Sequence, residues 1–214
     1  MTFAGFPDAA LDFYDDLEAD NSKVFWEAHK DTYRTAVHAP MVALTEALAE
    51  EFGAAKIFRP YRDVRFAKDK TPYKTHQGAF VGTGEATGWY VEISAAGTKV
   101  AAGCYHADSE LLGRLRTAID QDITGKPLAK MFDTYRKAGW EVGGDTLKTA
   151  PRGFAKDHPR IELLRHKQFV ISRDYGFEAD AVGPGLLDRV RADWRSARTL
   201  IDWLTSPSLR PSNR

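Results

Sequence analysis

Thirteen consecutive residues, Arg62-Asp-Val-Arg-Phe-Ala-Lys-Asp-Lys-Thr-Pro-Tyr-Lys74, bring together five cations, two carboxylates and a tyrosine around a proline. A hydrophobic core has no use for that mixture, so the segment is the first place to seek chemistry. If Arg65 stands at a strand end and Lys68, Lys70 and Lys74 flank a turn closed by Pro72, three or four cations converge on one carboxylate or phosphate. Arg62 joins them, and Tyr73 adds a hydroxyl donor. Asp63 and Asp69 then orient the cations, or Asp69 accepts a proton once it is desolvated. The plainer alternative is a salt-bridged strand and turn, in which Arg65 pairs with Asp63 and Lys70 only wets the surface.

A second stretch, Lys148-Thr-Ala-Pro-Arg-Gly-Phe-Ala-Lys-Asp-His-Pro159, has related ingredients. A Pro-Arg-Gly turn projects a guanidinium from stiff backbone, and glycine allows close approach. Lys148 and Arg152 are therefore expected to form the far wall of the same pocket. Asp157 reads as a helix cap and His158, before proline, as a loop hydrogen-bonder. No residue is assigned a catalytic role.

Both stretches carry a resemblance. The RF-x-KDK-x-PYK block at Arg65 to Lys74 and the LK-x-x-PRGF-x-x-x-HP block at Leu147 to Pro159 resemble an uncharacterised bacterial domain-of-unknown-function family of conserved hypothetical proteins, over about Phe6 to Leu204. Ala67 departs from the family pattern, which places a small hydroxyl residue there. The resemblance implies a single α+β domain and brings no activity, substrate, cofactor or catalytic residue.

Other chemistries find little support. The six histidines show no HExxH spacing, there is one cysteine, and no acidic calcium loop occurs, so no metal site is assigned. Cys104 alternates with small apolar residues and reads as core. Gly82, Gly84 and Gly88 precede a strand instead of a helix and lack the lysine and hydroxyl of a nucleotide-phosphate loop, which leaves them as a flexible connector. Trp89 and Tyr90 could stack on a base beside the cations, although hairpin packing is their plainer use.

Balance of charge narrows the partners. Lysine plus arginine equals aspartate plus glutamate at 30 each, which removes the overall positive field of a nonspecific nucleic-acid binder. The distribution is uneven, with an acidic first twenty residues and a basic segment at 59–74. No apolar run approaches the roughly 18 residues of a membrane span, and the N-terminus has no secretory pattern. A cytoplasmic protein is expected, without a membrane partner, and the sequence is silent on oligomeric state.

Periodicity supplies the elements that must hold these residues. Phe6, Ala10, Phe13 and Leu17 predict a first helix and Phe25 to Val37 a second capped by Asn21 or Ser22, which Pro40 either kinks or follows with a third, Met41 to Phe52, that Gly53 stops. The period then changes to two, predicting a strand from Lys56 to Phe66 with Arg59, Tyr61, Asp63 and Arg65 on its polar face. Trp89–Ser94 and Lys99–Tyr105 form a hairpin in which Gly97 takes a positive dihedral. Helices follow from Asp108 and near Pro127, then a short helix at Leu163, a strand at Gln168–Ser172, and one last helix from Leu187 to Leu204. The fold expected is α+β: a mainly antiparallel sheet with a central hairpin, covered by the N-terminal helices and later ones, in one domain over 1–205 with a frayed tail at 206–214.

Three functions follow as expectations. The first is a protein that binds, and on one reading transforms, a small phosphate- or carboxylate-bearing anion through Arg62, Arg65, Lys68, Asp69, Lys70, Tyr73, Lys74, Lys148 and Arg152. The second is a single-stranded nucleic-acid module using the same cations. The third is a structural or partner-binding protein whose charged block is an internal network.

Overall fold

The computed structural model describes residues 2–65, 68–206 and 209. The architecture is α+β, as periodicity predicts. A six-stranded antiparallel sheet runs in the order β1-β2-β3-β4-β6-β5, with helices before it and between its later strands. Its strands are β1 (Lys56–Ile57), β2 (His76–Gly84), β3 (Thr87–Ser94), β4 (Gly97–Cys104), β5 (Glu141–Gly143) and β6 (Phe169–Gly176). The chain forms two compact units, one of Met1–Val81, Tyr90–Val100 and Asp174–Asp193, the other of Gly82–Trp89, Ala101–Arg173 and Trp194–Arg214.

In the first unit, α1 (Asp8–Ala19) begins after Pro7 and buries Ala10, Phe13, Tyr14 and Leu17 at the predicted spacing. Ser22 caps α2 (Lys23–Thr32) by accepting from the Phe25 N–H at 3.1 Å. A π-helical segment, Tyr33–His38, runs into α3 (Ala39–Phe52) without a break. Pro40 explains the arrangement: it donates no hydrogen bond and its ring crowds the turn before it, and a wider turn relieves both. Gly53, at φ 100°, ends α3. Trp26, Met41, Leu44, Leu48, Val91 and Ile93 are among the residues that fill this core.

After Ile57 the structure departs from the expected strand. Only Lys56 and Ile57 pair with β2, opposite Phe80 and Ala79, and the Phe58 N–H donates to the Gly78 carbonyl at 3.0 Å. Pro60 then removes a ladder donor, and the chain leaves the sheet as a loop; Phe66 and Ala67 lie outside the described residues. The glycine segment is likewise not a flexible connector. β2 and β3 meet across Glu85 and Ala86, the latter at φ 49°, so Gly82, Gly84 and Gly88 all lie in strands.

In the second unit, Asp108 caps α4 (Ser109–Asp120), accepting from the N–H groups of Glu110 and Leu111 at 2.9 and 2.8 Å. α5 (Asp122–Lys137) starts five residues before Pro127, because Gln121 alone separates it from α4. β5 pairs with β6 through Val142 opposite Ile171. α6 (Ile161–Arg165) lies between them in sequence. The expected last helix is two, α8 (Leu186–Ser196) and α9 (Arg198–Leu204), broken at Ala197 and preceded by the short α7 (Ala179–Val182). Of the tail, Pro207, Ser208 and residues 210–214 lie outside the described residues. No helix among the described residues is long and apolar enough to cross a membrane.

Candidate functional site

The loop of the first unit is pinned by its own backbone. Arg62 donates its N–H to the Pro72 carbonyl at 2.9 Å and Lys74 donates to Pro60 at 2.8 Å, with Tyr61 bridged antiparallel to Tyr73 between them. Residues alternate faces across such a pairing. Tyr61 and Tyr73 therefore share one face, and Arg62 and Lys74 the other.

The tyrosine face goes to the core. Tyr73, read from sequence as a donor to a ligand, is only 4% exposed and stacks on Trp26 at 4.4 Å between ring centroids. Burial first, then Tyr61, raises its pKa. The Asn21 amide fixes its backbone, accepting from the Tyr73 N–H at 3.0 Å and donating to its carbonyl at 3.1 Å.

The cations divide into tied and untied. Arg62 donates to Asp69 and, at 2.8 Å, to the Thr71 hydroxyl, while Asp69 accepts from the Thr71 N–H and hydroxyl. These bonds, the Thr71 N–H foremost, hold the Asp69 carboxyl below the usual range. Arg65 grips Asp63 with two bonds of 2.9 and 2.7 Å, and Lys70 donates to the Val64 carbonyl at 2.9 Å. Lys68 is exposed with no partner among the described residues. Lys74 is half-buried, its ammonium 5.2 Å from the Phe58 ring centroid. Burial, then the charges of Arg59 and Arg62, push its pKa down. The charge of Arg59, which is not among the site residues expected from sequence, thus acts on the same cation.

Lys148 and Arg152 belong to the second unit and are exposed on its loop. Gly153, at φ 93°, makes the predicted turn, and the Phe154 N–H closes it on the Pro151 carbonyl at 3.2 Å. His158 is the loop hydrogen-bonder expected: its Nε2 donates to Asp120 at 3.1 Å and its Nδ1 accepts from the Arg160 N–H at 3.0 Å. Asp157 is not the cap of α6, because Arg160 occupies the position before that helix. That arginine is 8% exposed and donates to the carbonyls of Ile119 and Asp120 at 2.6 Å each and to the Asp122 carboxylate at 2.9 Å. It closes the α4–α5 junction.

Two further sets of hydrogen bonds lie outside the charged loop. In the first unit, the Tyr33 hydroxyl donates to Gln77 and that of Tyr90 to Glu92, both at 2.5 Å. Burial, with Tyr61 adding, pushes Tyr33 up to about 12, and burial with Glu92 pushes Tyr90 higher still. In the second unit, Trp89 is buried and donates to the Trp194 carbonyl at 3.2 Å, so its ring is not offered to a base.

A family model described as conserved hypothetical protein (DUF2461) matches residues 9–203, spanning both loops. The chain belongs to that family. No curated protein and no solved structure matches it. For this family member, the two blocks that carried the resemblance fold differently: one displays cations on a pinned loop, and the other buries an arginine just beyond its last motif residue.

Proposed function

We propose that the first unit binds a small phosphate- or carboxylate-bearing anion through Arg62 and Lys74, with Arg59 beside them. The observation that carries this reading is the antiparallel pairing of 60–62 with 72–74, which sets Arg62 and Lys74 on one face. Like charges brought close and partly desolvated cost stability unless an anion offsets them. Arg62 is preorganised by Asp69 and Thr71, so little side-chain freedom is lost on binding. Lys68 extends the basic rim. The short bonds of Arg65 and Lys70 favour a second role for the block, that of bracing its own loop.

Titration calorimetry with inorganic phosphate tests the site. Lys74→Met and Arg59→Gln are each expected to weaken binding about tenfold, the loss of one charge-assisted contact. Arg65→Gln is expected to change it less than about threefold. Equal losses in all three variants would mean a diffuse surface attraction and would overturn the site.

A further inference from the structure

The face that carries the cations continues beyond them. Lys56 lies opposite Phe80 and Phe58 bonds to Gly78, so these four residues share one face of β1 and β2. A Cβ placed on Gly78 would lie 2.4 Å from the Tyr90 hydroxyl, and the Phe58 and Tyr90 ring centroids are 6.4 Å apart. Tyr90 therefore lies across this face, in space that glycine leaves open. Glu92, two residues on, points the same way, while Val91 and Ile93 between and beyond them are fully buried on the other side.

The resulting order is polar at both ends. Lys74 stands over Phe58, Phe58 adjoins Tyr90, and Tyr90 donates to the Glu92 Oε2 at 2.5 Å. The Glu92 Oε1 accepts no hydrogen bond among the described residues, and the side chain is half-exposed. A carboxylate with one oxygen committed and the other open is an oriented acceptor for hydroxyl donors. Two rings separate it from the cations, and aromatic faces suit the C–H side of a sugar.

We propose that the anion held by Arg62 and Lys74 is the phosphate of a phosphomonoester with a vicinal diol, whose carbon face lies on Phe58 and Tyr90 and whose hydroxyls donate to Glu92. This rests on the anion site proposed above. A free sugar phosphate and a ribonucleotide share the required chemistry.

Calorimetry on the full chain separates the cases. Ribose 5-phosphate is compared with 2-deoxyribose 5-phosphate, adenosine 5′-monophosphate with its 2′-deoxy form, and inorganic phosphate serves as reference. In at least one pair the diol compound is expected to bind about tenfold tighter, as for one hydrogen bond to a charged group. That preference falls to near unity in Glu92→Gln. Glu92→Asp, which keeps the charge on a shorter arm, reduces it too and serves if the glutamine variant melts early. A preference confined to one pair names the source. Equal affinities within both pairs, with phosphate still bound, overturn the diol inference alone, as does a preference unchanged in both Glu92 variants. No binding of phosphate or of any ester overturns the anion site beneath it.

Discussion

Segment 59–74 of the first unit and segment 144–165 of the second unit are both rich in basic residues and proline, yet they use arginine in opposite ways. In the latter, Arg160 is buried and every bond its guanidinium makes goes to backbone or carboxylate at the α4–α5 junction. Its charge is consumed by the fold. In the former, the charges of Arg59 and Arg62 both act on Lys74, and of these three Arg62 alone makes an ion pair among the described residues, with Asp69. A cation cluster that is structural finds its acceptors within the chain, and one that is not leaves charge over.

The largest effect that could break this contrast lies in the second unit. A Cβ at Gly125 would fall 2.0 Å from the Ile119 carbonyl oxygen and 2.7 Å from the Arg160 Nε. Gly125→Ala and Arg160→Met are each expected to cost about 3 kcal/mol, from buried carbonyls left without donors. Losses under about 1 kcal/mol in urea denaturation would remove the structural reading of Arg160. Lys74→Met, by contrast, is expected to leave stability within about 0.5 kcal/mol, because the folded state already disfavours that charge.

A smaller effect concerns His166. It is buried against Phe132 and Phe169, its Nδ1 has no hydrogen-bond partner among the described residues, and burial first, then the charge of Arg136, lowers its pKa. The folded state binds a proton less readily than the unfolded chain. Stability is therefore full above the unfolded value of about 6.5 and falls as pH drops toward the folded value. Melting temperatures between about pH 7.5 and about pH 5 should decline, and His166→Leu should flatten the part of that decline owed to this residue. The smallest effect is that of Arg65→Gln, whose exposed pair with Asp63 is screened by solvent, so that its melting temperature should be indistinguishable from that of the parent chain.

Sequence periodicity locates what local rules control. The Ser22 and Asp108 caps, the Gly53 stop and the Gly97 turn follow from side-chain chemistry within a few residues. The strand expected through Arg65 did not form, because alternation of types cannot reveal that Pro60 ends the ladder and that Tyr61 pairs with Tyr73 instead. Hairpin packing is the plainer sequence reading of Trp89, but its partner Trp194, and the burial of Tyr73 against Trp26, depend on residues far away in sequence. Arg160 was missed for the same reason: its acceptors lie about forty residues earlier. The acid–base partners of the charged block were legible from spacing, but which cations stay unmatched was not.

The π-helical segment Tyr33–His38 sets the phase between α2 and α3. With the Ala39 N–H reaching back to the Arg34 carbonyl, the segment holds one residue more than an α-helix would spend on the same rise. Each residue of an α-helix turns about 100°. Removing one residue here would regularise the helix and rotate all of α3 by that angle, carrying Met41, Leu44 and Leu48 out of the core. The irregular turn thus works as a spacer, and chain length between Tyr33 and Pro40 is as tightly constrained as the identity of any core side chain.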